Sequence, residues 1–196
     1  PDIRPFTQRE IALGAEKKLG EDFSVSLRLV NKSVLYAVDD TAVVVMAMNR
    51  AGGDYDHAIS RAREWGEGLQ SKDGGWGAFD ADNAYYYLNH IPFADHGALL
   101  DPPTADVSAR CVSMLAQLGA TAASSPVLAR GVDYLRKEQE KDGSWYGRWG
   151  MNYVYGTWST LCALNAAGVP AGDPAMRKAV SWLLSIQNED GGWGED

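Results

Sequence analysis

The sequence predicts an all-α protein built from paired helices that are stacked or closed into a ring. Two interleaved repeats carry this prediction, one built around a Gln-to-Trp motif and one around helices that end in glycine. Hydrophobic residues make up 45% and charged residues 22% of the 196 residues, which excludes overall disorder. The repeats cover residues 36–196, whereas residues 1–35 follow a different pattern.

The first 35 residues predict a helix followed by a hairpin. Thr7 and Glu10 form a capping box, which predicts a helix from there to about Gly20. Apolar and polar residues then alternate on both sides of residues 31–32, which predicts two strands with a turn at that dipeptide.

Three further helices are predicted over 40–52, 107–119 and 156–168, each ending in glycine. Since the run 43–48 is apolar all round, we expect these helices to lie side by side and to be buried on all sides. The residue thirteen positions before each glycine marks the same place at the start of its helix. In a ring of helix pairs, these helix starts would all face one common cavity. That position is occupied by Asp39, Asp106 and Tyr155.

A second set of helices, amphipathic and predicted to pack outside the first, covers 55–70, 125–139 and 174–187. Each ends in a motif in which Asp, Gly and Trp follow a Gln by three, four and six residues. Asp-Gly supplies the turn, and the Trp N–H or the Gln amide is expected to pair groups left free at the helix end. The motif is therefore interpreted as structural. Its copies are Gln70 to Trp76, Gln139 to Trp145 and Gln187 to Trp193.

An acidic pair opens the most apolar helix, in the stretch Ala-Val-Asp-Asp-Thr-Ala at residues 37–42. One interpretation is structural, with Asp39 and Asp40 capping the helix and favouring its dipole. The other is chemical, because two adjacent carboxylates in a low-dielectric site cannot easily both ionise, and one then keeps a proton. Asp39 paired with Asp106 would instead suit a glycoside hydrolase on an α/α scaffold. A non-catalytic repeat module is the remaining alternative.

Together, these features resemble the squalene–hopene cyclases, class II triterpene cyclases with an Asp-x-Asp-Asp-Thr-Ala motif and QW repeats. The resemblance covers residues 36–196 and implies the catalytic domain of an (α/α)6 toroid, here only a partial barrel. It also implies cyclisation of squalene to hopene or hopanol by protonation, with no cofactor and no metal. Further matching stretches are 74–83, 89–93, 101–106 and 143–156.

The resemblance implies a role for each polar residue of the motif. Asp39 would be the acid, assisted by Asp40, and Asp106 would belong to the hydrogen-bonded group behind it. Arg110 stands where the family carries a His; as a permanent cation it would neutralise the conjugate base but also favour ionised Asp39. Ala37 replaces the first Asp of the motif and removes one carboxylate from the group.

Aromatic side chains would stabilise the carbocation without capturing it, by ~1–2 kcal/mol per face when desolvated. The resemblance implies this lining or stabilising role for Phe79, Phe93, Trp149 and Tyr155. We expect no metal site, because His90 and His96 have no partners at useful spacing. Both cysteines, Cys111 and Cys162, lie in apolar helical patterns. We therefore expect them to be buried and to form no disulfide.

Charge and hydropathy limit the partners of the chain. The formal net charge of −8 argues against nucleic acid, and the longest apolar run, residues 42–48, is too short to span a bilayer. The resemblance implies squalene as the substrate and a homodimer bound peripherally to the cytoplasmic side of the bacterial membrane. Since the chain starts at Pro1 and stops at Asp196 directly after a motif, we expect a fragment that is inactive alone.

Overall fold

A computed structural model describes residues 8–18, 24–34, 37–83, 101–150 and 152–194. Within these ranges lie two antiparallel strands and six helices, and each of the six helices predicted from the repeats is confirmed. None of the described helices is long and apolar enough to cross a bilayer. The elements are β1 (Gln8–Lys18), β2 (Ser24–Val34), α1 (Val38–Ala51), α2 (Asp56–Gly68), α3 (Ala105–Gln117), α4 (Pro126–Lys137), α5 (Asn152–Ala166) and α6 (Pro174–Ser185).

The hairpin of β1 and β2 shows that the prediction for the N-terminal segment is wrong in two respects. β1 occupies residues predicted to be helical, and β2 runs through residues 31–32, which were expected to turn. The register sets Leu13 opposite Leu29 and Ala15 opposite Leu27. The period-two apolar patterns of both segments therefore coincide, and this pairing outweighs the local capping-box signal.

The helices form two layers, as predicted. α1, α3 and α5 lie side by side with α3 in the middle, while α2, α4 and α6 each contact the inner helix that precedes them. The inner helices α1 and α3 run parallel. Arg110 contacts Asp39, and seven residues further along both helices Gln117 Nε2 donates to the Met46 carbonyl at 2.9 Å. The N-terminal ends of these two helices therefore lie together.

The prediction that the inner helices are buried on all sides is wrong for one face of this layer. Val43, Val44 and Trp158 are exposed and line an open cavity of about 960 Å³ along α1, α3 and α5. Cys162, expected to be buried, is exposed on the same face, whereas Cys111 is buried as expected. In α1, apolar residues on all sides therefore indicate a helix that lies between the core and an apolar cavity.

The Gln–Trp motifs close the outer helices, which confirms their structural interpretation. In each motif the indole N–H donates to a carbonyl in the last turn of the helix at 2.6 to 2.8 Å. Each Gln amide donates to the carbonyl of its motif glycine at 2.7 to 2.9 Å. Gln70 and Gln139 also donate, both at 2.9 Å, to the carbonyls of Val127 and Ala175 in the first turn of the next outer helix.

The N-cap of α1 is Ala37, so the expectation that the two aspartates cap this helix is wrong. Ala37 offers no side-chain acceptor to the free N–H groups of the first turn. Asp39 and Asp40 lie within that turn, where their charges still favour the helix dipole.

Ala37→Asp is expected to raise the free energy of unfolding by about 1 kcal/mol, because the new carboxylate can accept a first-turn N–H. Ala37→Asn supplies the same acceptor without the repulsion from Asp39 and should stabilise at least as much. Urea denaturation of the chain measures both. If neither variant gained stability, the start of α1 would be held sufficiently by the bond from the Val38 N–H to the Ala78 carbonyl.

Candidate active site

Asp39, Arg110 and Tyr155 meet at the N-terminal ends of the three inner helices. Arg110 Nη1 donates to Asp39 Oδ2 at 2.7 Å, and Arg110 Nη2 donates to the hydroxyl of Tyr155. The Arg110 guanidinium carbon also lies 5.8 Å from the centroid of the Tyr155 ring. A cation on α3, the middle helix, therefore links side chains on α1 and α5.

The surroundings of Asp39 favour its protonated form. Its side chain is 16% exposed, and burial, followed by the neighbouring Asp40 charge, raises its pKa above the ordinary value. The Asp106 charge acts in the same direction, while Arg110 and the Asp40 backbone N–H act against it. The net shift is upward, so Asp39 retains its proton to a higher pH than a solvated aspartate. Asp40 itself is exposed and lines the cavity together with Arg110.

Asp106 occupies the same helix position as Asp39 but makes different contacts. It is buried, and its Oδ2 accepts the backbone N–H of Trp149 at 2.8 Å. Its Oδ1 is also buried and accepts no hydrogen bond from the described part of the chain. Asp106 thus anchors the segment that leads into α5.

Tyr155 is fitted closely against this same segment. A Cβ on Gly147 would lie 2.6 Å from Tyr155 Cδ1, so only glycine leaves room for the ring. Burial raises the pKa of the Tyr155 hydroxyl above its ordinary value, although Arg110 acts in the opposite direction. The hydroxyl therefore stays protonated at neutral pH and accepts from Arg110 as a neutral group.

Two of the predicted aromatic residues form a pair. The ring centroids of Phe79 and Trp149 lie 5.8 Å apart with an interplanar angle of 86°. Trp149 is 40% exposed, and the guanidinium carbon of Arg148 lies 6.0 Å from its ring centroid. Tyr155 lies with Arg110 instead, and Phe93 lies outside the described residues.

Two charged residues beside this pair, Asp101 and Arg148, are not among the predicted site residues, although both lie in stretches that resemble the family. The Asp101 side chain is fully buried, and its Oδ1 lies 3.0 Å from Arg148 Nε. Its Oδ2 accepts the backbone N–H of Ala78. Burial raises the pKa of Asp101, while the Ala78 N–H and Arg148 lower it. Neither residue belongs to a repeat, so nothing in the spacing could have revealed their contact.

Comparison with known proteins places the chain among triterpene cyclases. The squalene–hopene cyclase of Bradyrhizobium diazoefficiens is 68% identical over 164 residues, which cover 81% of this chain and 25% of that protein. The squalene–hopene cyclase of Zymomonas mobilis is 64% identical over 165 residues, with 81% and 25% covered. The dammaradiene synthase of Dryopteris crassirhizoma is 40% identical over 179 residues, with 81% and 26% covered.

The chain spans about a quarter of the length of these curated relatives. The family described as the squalene-hopene cyclase C-terminal domain matches residues 28–196, a stretch that begins inside β2 and includes all six helices. The motifs, the paired helices and this match agree, and the chain therefore belongs to the squalene-hopene cyclase family, in the part described as its C-terminal domain.

Proposed function

We propose that this chain carries the proton-donating site of a squalene–hopene cyclase and that Asp39 is the acid. The observation that supports this most directly is the link from Asp39 through Arg110 to Tyr155 at the N-terminal ends of the inner helices. Relatives named squalene–hopene cyclase at 64% to 68% identity support squalene as the substrate.

Asp39 suits the first step because burial and the charge of Asp40 raise its pKa. Its O–H bond breaks as the proton moves to a terminal alkene carbon of squalene, and the alkene π electrons form the new C–H bond. A tertiary cation and the Asp39 carboxylate remain. Arg110, 2.7 Å from Asp39 Oδ2, then stabilises that carboxylate.

The following ring closures each pass the positive charge to the next alkene, and loss of a proton or capture of water gives hopene or hopanol. Phe79 and Trp149 present aromatic faces to such a cation, each worth about 0.5–2 kcal/mol. Arg148 lies on one face of Trp149. A substrate cation is therefore accommodated on the opposite face, away from this fixed positive charge.

The cyclase activity is expected to fall as pH rises through the raised pKa of Asp39, because only the protonated acid can react. Arg110 lowers this pKa, so Arg110→Gln should move the falling limb to higher pH. The measurement is kcat against pH for both proteins. An unshifted limb in Arg110→Gln would mean that Asp39 does not control it.

We also propose the wider organisation of the protein. Residues 36–196 form part of an α/α-toroid catalytic domain, and residues 1–35 form a separate segment. The complete enzyme is a homodimer that lies on the cytoplasmic side of the bacterial membrane, where squalene is dissolved. The chain alone is inactive because its cavity is open to water, which would quench a carbocation.

The test is a chimera in which this chain replaces the matching quarter of the Bradyrhizobium diazoefficiens relative. Incubation with squalene in detergent, followed by gas chromatography and mass spectrometry, should reveal pentacyclic products. A chimera that folds but returns squalene unchanged, while the parent relative reacts, would contradict the proposal. Hydrolysis of oligosaccharides would favour the glycoside hydrolase alternative, which the burial of Asp106 and its bond to Trp149 make less suitable.

A further inference from the structure

Asp101 joins the two chain segments that carry the aromatic pair. Its Oδ2 accepts the backbone N–H of Ala78, which directly precedes Phe79. Its Oδ1 lies 3.0 Å from the Nε of Arg148, which directly precedes Trp149. A single buried carboxylate thus holds the residue next to each ring.

The same contact extends to the helix that carries the acid. The Ala78 N–H donates to Asp101 Oδ2, and the Ala78 carbonyl accepts the backbone N–H of Val38 at 2.7 Å. Val38 is the first residue of α1 and directly precedes Asp39. The start of α1 is therefore hydrogen-bonded in series to Asp101.

Close packing leaves this arrangement little freedom to relax. A Cβ on Gly77 would collide with the backbone carbonyl of Asp101, and the Thr104 N–H donates to the Trp76 carbonyl at 3.2 Å. The Asp101 side chain is 0% and the Arg148 side chain 20% exposed. Loss of the carboxylate would therefore leave a largely buried guanidinium without this partner, and its neighbours would have to move.

We propose that Asp101 is a positioning residue that sets the separation and angle of Phe79 and Trp149 by holding Ala78 and Arg148. The effect of Asp101 on the products rests on the proposed function, whereas its effect on the two chain segments does not. In the proposed function the two rings stabilise the substrate cation, and on that basis their placement decides how far cyclisation runs before the cation is lost. Asp101 therefore controls product completeness without touching the substrate.

Asp101→Asn tests this, because the amide oxygen still accepts the Ala78 N–H while the charge opposite Arg148 is lost. In the chimera we expect kcat to fall by up to about 100-fold, since small misplacements of reacting groups have effects of that size. The fraction of incompletely cyclised products should rise, and the pH limb assigned to Asp39 should stay in place. Arg148→Lys keeps the charge but loses the guanidinium geometry and should shift the products in the same direction.

The matched control is Asp173→Asn, which removes the charge opposite Arg136 but leaves an Asn able to cap α6. It should change neither the products nor the rate. A lower melting temperature with an unchanged product ratio in both Asp101→Asn and Arg148→Lys would overturn the proposal and leave Asp101 a merely structural residue.

Hydrogen exchange on the 196-residue chain separates this proposal from the proposed function. We expect amides in 76–79 and 145–150 to exchange faster together in Asp101→Asn, and not in Asp173→Asn. Unchanged protection of 145–150 would overturn the positioning role. If the unsubstituted chimera made no product, the proposed function would fail, and the exchange result would still decide whether Asp101 couples the two segments.

Discussion

Asp39→Asn is expected to lower squalene conversion by the chimera by about 10²- to 10⁴-fold, the usual contribution of a general acid. Asn has nearly the same volume, and its amide oxygen can still accept from Arg110, but it cannot donate a proton to an alkene. The fold should persist, because Asp39 is not the N-cap of α1. Product formation and the far-ultraviolet circular dichroism spectrum measure the two effects separately.

Asp56→Asn is the matched control, since Asp56 lies in the first turn of the outer helix α2 rather than in an inner helix. It should react at the parent rate. Asp40→Asn should reduce turnover less than Asp39→Asn, by removing the charge that helps Asp39 keep its proton. Product formation by Asp39→Asn near the parent rate would leave Asp39 with a role in the helix alone.

Trp145→Ala is expected to lower the free energy of unfolding of the chain by about 3–5 kcal/mol, the range for emptying a buried aromatic site. Trp145 is 0% exposed, and its indole N–H donates to the Leu135 carbonyl at 2.6 Å. The substitution therefore leaves both a cavity and an unpaired carbonyl at the end of α4. Urea denaturation followed by circular dichroism gives the value.

The chain contains its own control, because Trp193 makes the equivalent bond to the Leu183 carbonyl at 2.8 Å but is 45% exposed. Trp193→Ala should cost about 0.5–1.5 kcal/mol, mainly the lost hydrogen bond. If Trp145→Ala is unfolded without denaturant, Trp145→Phe keeps most of the volume and provides a measurable intermediate. Equal losses at positions 145 and 193 would show that burial is not the source of the stability.

The helices are predictable from the sequence because their stop signals are local and occur in every repeat. The motif glycines adopt left-handed φ angles of 98°, 107° and 85°, as an Asp-Gly turn requires. The hairpin is less predictable, since β1 depends on its register with β2, whereas the capping box near its start is a purely local signal. The N-cap at Ala37 was missed because the acidic pair beside it is a stronger capping signal than Ala.

The candidate site is predictable only where it follows the repeat. Asp39, Asp106 and Tyr155 all lie in the first turns of successive inner helices, so side-by-side packing is enough to bring them to the same end. The contact between Asp101 and Arg148 joins two irregular segments, and neither periodicity nor spacing encodes it. The exposure of Val44 also depends on the open cavity face rather than on the apolar pattern of α1.

The parallel course of the inner helices has a consequence for how such a protein can evolve. Duplication of one helix pair adds a new inner helix that runs in the same direction. A residue in the first or second turn of that helix then lies beside the contacts made by Asp39, Arg110 and Tyr155. Each repeat thus contributes one position at this end, while the Gln–Trp motifs join successive outer helices. In this chain the three positions carry a carboxyl group that contacts Arg110, a buried acceptor of the Trp149 N–H and a phenol that contacts Arg110. New chemistry can therefore arise by single substitutions within an inherited scaffold.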